Sequence, residues 1–295
     1  MKKSMTQSQK LMTFVLSMSL YGLSTLFTEL IPSFQIGIVE LSVEYFIFIP
    51  LILAMLFDPL SAALGAATGE LVFSEIMLGQ FGGLGELEKF LTLTIGIYVA
   101  GRLVKNPKSI KSVAIASILA VIIQQSLGCI VDILKVQFAV EDFEAVAGLP
   151  ESVFFTEGFA CLNDILFSGI LFSLLPCMYL VPKLYGKIEP LLGVAPRDEN
   201  TVVGDGEKMG IKTFVLCAIA FVVAIGGEFM AENGLAIIDW EAAWAGNSTA
   251  MIVSGVIAVL VIVLAFLKIK NRKESAMLLR SMIYNSHIQE QSSQH

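Results

Sequence analysis

The feature that most constrains this chain is the recurrence of long apolar blocks, of which residues 11–32 and 251–267 are the clearest. Each comes close to the ~20 residues an α-helix needs to cross a ~30 Å hydrocarbon layer. No water is available inside a bilayer to satisfy N–H and C=O groups, so a crossing segment is either a helix or a strand of a closed barrel. The blocks do not alternate apolar and polar residues as barrel strands do, which leaves helices. Composition agrees: 56% of the 295 residues are hydrophobic and 15% charged, with a mean hydropathy of +0.78. A soluble domain carries about 25% charged residues. The expected fold is therefore an all-α polytopic membrane protein of the cell membrane.

Eight spans are expected, at residues 11–31, 42–57, 60–79, 87–104, 112–135, 155–182, 213–231 and 249–268. Residues 32–41 read as a loop dipping toward the membrane. Lys and Arg favour the cytoplasmic side of a membrane protein. With a cytoplasmic N-terminus, 17 of the 19 basic residues fall on that side, and only Lys89 and Lys135 fall on the other. An even number of spans then makes both termini cytoplasmic. The domains expected are a six-helix body (1–185), a cytoplasmic linker (186–212), a two-helix appendix (213–268) and a polar cytoplasmic tail (269–295).

Several chemistries find no support. The chain has no G-x-x-x-x-G-K-[ST], H-E-x-x-H or G-x-S-x-G motif, so no nucleotide-driven, zinc-protease or serine-hydrolase reading follows. A net charge of −7, without basic aromatic stretches, gives nucleic acid no footing. Both histidines, His287 and His295, lie in the tail. The four cysteines lie in apolar blocks without a C-x-x-C pair and read as small buried hydrophobes. No enzyme activity, cofactor or metal site is expected.

Three local features stand out. Ser61, Gly65 and Gly69 recur every four residues and make one small-residue helical stripe, which lets helix backbones approach closely. It serves either internal packing or docking of a partner helix. Acids are also frequent near the expected membrane depth: Glu29, Glu40, Glu44, Glu70, Glu75, Asp132, Asp164 and Glu228. Such groups are costly in lipid and point to function unless they reach the interface. Finally, Gln125, Cys129 and Asp132 share one side of the fifth span, while Asn163 and Asp164 lie in the outer half of the sixth. These groups either line an outward cavity or hydrogen-bond between helices. If they line a cavity, the excess of carboxylates favours a ligand with an amine or ring cation, held by Asp132 or Asp164 with Gln125 and Asn163.

Residues 32–54, followed by Phe57-Asp58-Pro59 and the small-residue run ending in Gly69-Glu70, resemble the substrate-binding S component of an energy-coupling factor vitamin transporter. Asp58 stands where that family usually has Gly. Asn163-Asp164 and the segment from Leu175-Pro176 to Pro182-Lys183 are similar to the family's last helix. The resemblance covers residues 11–185, and two further helices follow them. It implies a six-helix S-component-like bundle that captures a micronutrient at its outer face, with a separate transmembrane coupling subunit and two ATPase subunits driving release. It places the ligand among Glu40, Glu86, Gln125, Asp132, Asn163 and Asp164, and gives Ser61, Gly65 and Gly69 a part in docking the coupling subunit. Two other readings stay open: a proton-coupled secondary transporter using the carboxylates, and a non-transport membrane scaffold with a similar six-helix body.

Overall fold

In a computed structural model, the structure describes residues 5–29, 31, 34–36, 39–41, 43, 45–138, 149–197, 210–235 and 240–241. Helix α1 spans Gln7–Thr28, opened by a capping box between Thr6 and Gln9. A short hairpin follows, in which β1 (Phe34–Ile36) pairs antiparallel with β2 (Val39–Leu41), Gln35 opposite Glu40. Helix α2 covers Phe48–Leu56 and α3 covers Pro59–Glu70, which a π-helical turn over Leu71–Ile76 prolongs. Asp58 starts α3 by accepting from Ser61 N at 2.9 Å, and Pro59 fills the first position, where a missing N–H costs nothing. Strand β3 (Gln80–Phe81) leads to α4 (Glu86–Leu103) and then α5 (Ile110–Gln137). Helix α6 (Val153–Gly169) runs through a second π-helical turn, Ile170–Leu174, into α7 (Leu175–Leu184). Helix α8 covers Ile211–Met230, and β4 (Trp240–Glu241) pairs with β3.

Among the described residues, four helical segments are by length and composition long and apolar enough to cross a membrane: Gln7–Thr28, Ile110–Gln137, Val153–Leu184 and Ile211–Leu235. The protein is thus a mostly α-helical membrane protein. Helix α2 is only nine residues long, and every residue from Pro50 to Leu56 is buried. It is apolar all round because α1, α3, α4, α5 and α7 enclose it. The expected eighth span (249–268) and the tail lie outside the described residues. The chain divides into two compact units, Met1–Ala243 and Trp244–His295. Helix α8 lies in the first of these units with α1–α7, its far end bonded to α5 and packed on α4.

Helices α1 and α3 meet backbone to backbone. A β-carbon on Gly65 would overlap the Phe14 carbonyl oxygen, and one on Gly69 would overlap that of Met18. One on Gly22 would lie 2.6 Å from the Gly69 carbonyl oxygen. Ser17 Oγ, fully buried, donates to Ala62 O at 2.7 Å across the same seam. Ser61 Oγ bonds Asp58 at 2.7 Å within its own helix start. Of the stripe expected either to pack internally or to dock a partner, Gly65 and Gly69 face α1. Lipid offers no hydrophobic drive between helices, so close van der Waals contact does the work.

At the opposite end from the α3–α4 turn, the segment after α7 folds back under the bundle. Gln9 Nε2 donates to Gly193 O at 2.7 Å. Arg197, 3% exposed, points inward. Its Nη1 donates to Gly101 O and Val104 O at 3.0 Å each, and its Nη2 to Ala54 O at 3.0 Å and to Phe57 O. These carbonyls are the free acceptors at the ends of α4 and α2, where the helix dipoles are negative. Burial lowers the Arg197 pKa to about 10, while the neighbouring Asp58 carboxylate pulls it back up, so the guanidinium stays charged at neutral pH.

Three expectations concern stability, all read from melting temperature in detergent. Gly65→Leu and Gly69→Leu collide with backbone rather than with a flexible side chain and should each cost ~3 kcal/mol or more. Gly158→Ala and Gly226→Ala, with open space around them, should leave stability unchanged or raise it. Arg197→Lys keeps the charge but loses the planar fork, and should cost roughly 3 kcal/mol through stranded carbonyls. A silent Arg197→Lys would mean that charge alone holds the helix ends.

Candidate functional site: an acidic chamber between α3 and α4

The first turn of α4 is built to hold carboxylates. Glu86 and Glu88 stand at the positive end of its dipole. Gly82 N–H donates to Glu86 Oε1 at 3.2 Å, from a turn in which Gly79 and Gly83 take positive φ values of 74° and 67°. Only glycine adopts that conformation freely.

On one side of this turn Lys89 Nζ meets Glu75 Oε1 at 3.2 Å and Glu86 Oε2 at 3.7 Å. Glu70 completes the ring. Together with Ala67, Leu71 and Phe90 these four side chains line a cavity of about 10 Å³, room for roughly one water. Glu29, at the end of α1, accepts from Ser74 Oγ at 3.3 Å beside it. The π-helical turn makes this ring possible. Residues five apart lie on different sides of a regular α-helix, but the wider turn over Leu71–Ile76 brings Glu75 round toward the face of Glu70 and buries it to 6% exposure. Lys89 itself is 56% exposed, so one cation open to solvent serves carboxylates that are largely enclosed.

On the other side, Lys135 pairs with Asp132 at 3.2 Å and with Glu228 of α8 at 3.3 Å, with Glu88 close by. Gly85 and Gly227 make room here. A β-carbon on Gly227 would lie 3.1 Å from Leu84 O, and one on Gly85 3.1 Å from Glu228 Oε2. This is where α8 is fastened. Nearer its start, α8 is separated from α4 and α5 by an apolar cavity of about 500 Å³, lined by Ile95, Val99, Ile123, Leu127, Thr213 and Phe221 among others.

The residues expected to bind ligand fall in several settings. Glu86 lies in the acidic chamber. Asp132 is held in the Lys135 group, with its side chain 46% exposed. Gln125 Nε2 donates to the Tyr45 hydroxyl at 2.8 Å, tying α5 to the segment before α2. Asn163 and Asp164 are half-buried on α6. The backbone of Glu40 lies in β2, and its side chain, like all of Glu44, lies outside the described residues. The residues that the expected ligand set left out are Glu70, Glu75 and Lys89. The two acids and the lysine were visible in the sequence, but their meeting depends on the π-helical turn.

The fold and this chamber define an α-helical membrane protein with carboxylates collected at one end of its bundle. The chain belongs to the family described as "Family of unknown function (DUF8171)", which it matches over residues 12–277. No curated protein and no solved structure matches it.

The Lys135–Glu228 pair, with both side chains 13% exposed, should be the electrostatic fastening of α8. Lys135→Met and Glu228→Gln should each lower the melting temperature, and the double variant should recover part of the loss. A coupling energy of ~0.5–3 kcal/mol is expected from the double-mutant cycle. Strict additivity would show that the glycine contacts alone hold the helix.

Proposed function

We propose that this chain is the substrate-capturing subunit of a micronutrient importer, and that it takes a small water-soluble solute carrying an amine or ring cation. The observation that carries this reading is the ring of Glu70, Glu75 and Glu86 around a single, largely exposed Lys89. A focused negative field attracts cations to such an end. An incoming amine takes the place of the Lys89 ammonium, whose long stem allows it to swing away into solvent, and the chamber widens as it does so. In this reading the acidic end faces outward and both termini are cytoplasmic, as the distribution of Lys and Arg favours. Because the chain has no nucleotide-binding motif, a separate coupling subunit and two ATPases drive release. With the glycine stripe occupied by α1, docking falls to another surface of the bundle.

The small volume of the chamber, about 10 Å³, favours a second reading in which it carries a proton in a secondary transporter. The deciding experiment combines three measurements. Mass spectrometry identifies small molecules retained by the purified protein, and titration compares them on wild type, Glu75→Gln and Glu86→Gln with melting temperatures alongside. Loss of a charge-assisted hydrogen bond worth ~1.5–3 kcal/mol should weaken binding roughly 10- to 150-fold. Unchanged affinity in both variants, or retention of an anionic ligand, would overturn the cationic site. Uptake by the reconstituted chain alone, driven by a proton gradient, would establish the secondary transporter in its place.

A further inference from the structure

Cys129 and Cys161 read in the sequence as isolated small hydrophobes, but the packing of α5 on α6–α7 sets them face to face. Ser173 Oγ donates to Ser117 O at 2.8 Å, and a β-carbon on Gly169 would lie 3.3 Å from Val121 Cγ1. The two helices run antiparallel, so eight residues further along each from the Gly169–Val121 contact lie Cys161 and Cys129. The register thus sets Cys129 and Cys161 opposite one another across the α5–α6 seam, close enough for each to act on the other electrostatically, with Ser126 of α5 beside Cys161. Both thiols are half-buried, whereas Cys177 is enclosed, and Cys217 lies on α8 in the wall of the apolar cavity.

We propose that Cys129 and Cys161 form an interhelical dithiol, a modification site that closes to a disulfide by exchange with a small apolar disulfide. The thiolate of one cysteine attacks the reagent, breaking its S–S bond and releasing one thiol while a mixed disulfide forms. The neighbouring thiolate then attacks the protein sulfur of that mixed disulfide and expels the second thiol. Two electrons pass from the protein sulfurs to the reagent, and the two protons lost by the cysteines leave with the released thiols or with solvent. Closure ties α5 to α6 across the polar side that also bears Ser126 and Asp164. The inference is independent of the transport reading.

The test uses the full chain in detergent with 4,4′-dithiodipyridine near pH ~8.5, close to the ordinary thiol pKa. Wild type should release two thiopyridones from this pair, with no pyridyl group left on the peptides holding Cys129 and Cys161 and a mass lower by two hydrogens. Cys129→Ser and Cys161→Ser should each retain one pyridyl group on the remaining partner. Closure should also raise the melting temperature of wild type by several degrees, reversibly on reduction, with no such rise in either serine variant. Labelling of Cys217 reports that the reagent enters the apolar region. A pyridyl group retained on Cys129 or Cys161 of wild type, no reaction at either, or linkage between chains would each overturn the proposal.

Discussion

Where α1 and α3 cross, glycine removes the side chain from three positions and the two backbones touch. Everything near the acidic end depends on that contact. It fixes α3 beside α1, so the π-helical continuation of α3 carries Ser74 and Glu75 toward Glu29 and toward the start of α4. In a bilayer the apolar side chains gain little by leaving lipid for one another, so contact at this distance, together with Ser17 bonding across it, must supply the adhesion. The short helix α2 sits within the bundle that results. It is too short to span a membrane, but in this enclosed position it needs no polar face.

The two ends of the bundle solve opposite electrostatic problems. Where α2 and α4 finish, a concentration of carbonyl oxygens faces a single guanidinium, and Arg197 satisfies four of them from one side chain. Asp58 and Glu189, both buried, lie close enough to offset its charge. Where α4 begins, its dipole has the other sign and the chain places Glu86 and Glu88 there. The number of carboxylates exceeds what dipole and lysines need. A surplus of enclosed carboxylates costs free energy, and folds retain such costs chiefly where a ligand or proton offsets them.

Helix α8 shows how unevenly attachment can be distributed along one element. Its far end is fixed by Lys135 and by glycine-permitted approach to Leu84 and Leu87, while its beginning is held off by a cavity of about 500 Å³. The polar contacts thus lie at the acidic end, and α8 is tied to the same first turn of α4 that shapes the chamber. Movement of that turn would be felt by α8 through Glu228.

The length of the apolar blocks was enough, from sequence, to mark α1, α5, α6–α7 and α8 as membrane helices, because the requirement for internally satisfied backbone leaves few other structures. The excess of acids over nearby cations was equally legible, since it is a matter of counting. What the sequence left open was which surfaces meet. The Gly65–Gly69 stripe read as either an internal seam or an external dock, since spacing does not identify the facing helix. Gln125 and Asp132 read as sharing one side of a helix, but their partners, Tyr45 and Lys135, were not legible from spacing. A spacing of five does not bring Glu70 and Glu75 to one face of an α-helix, and the π-helical turn changed that. Arg197 lay in a polar linker with nothing to mark it as buried, until the folded helices presented four carbonyls at one point. Periodicity and composition determine which segments are helices and how much charge they carry; only the tertiary structure decides which charges and which backbones come within reach of one another.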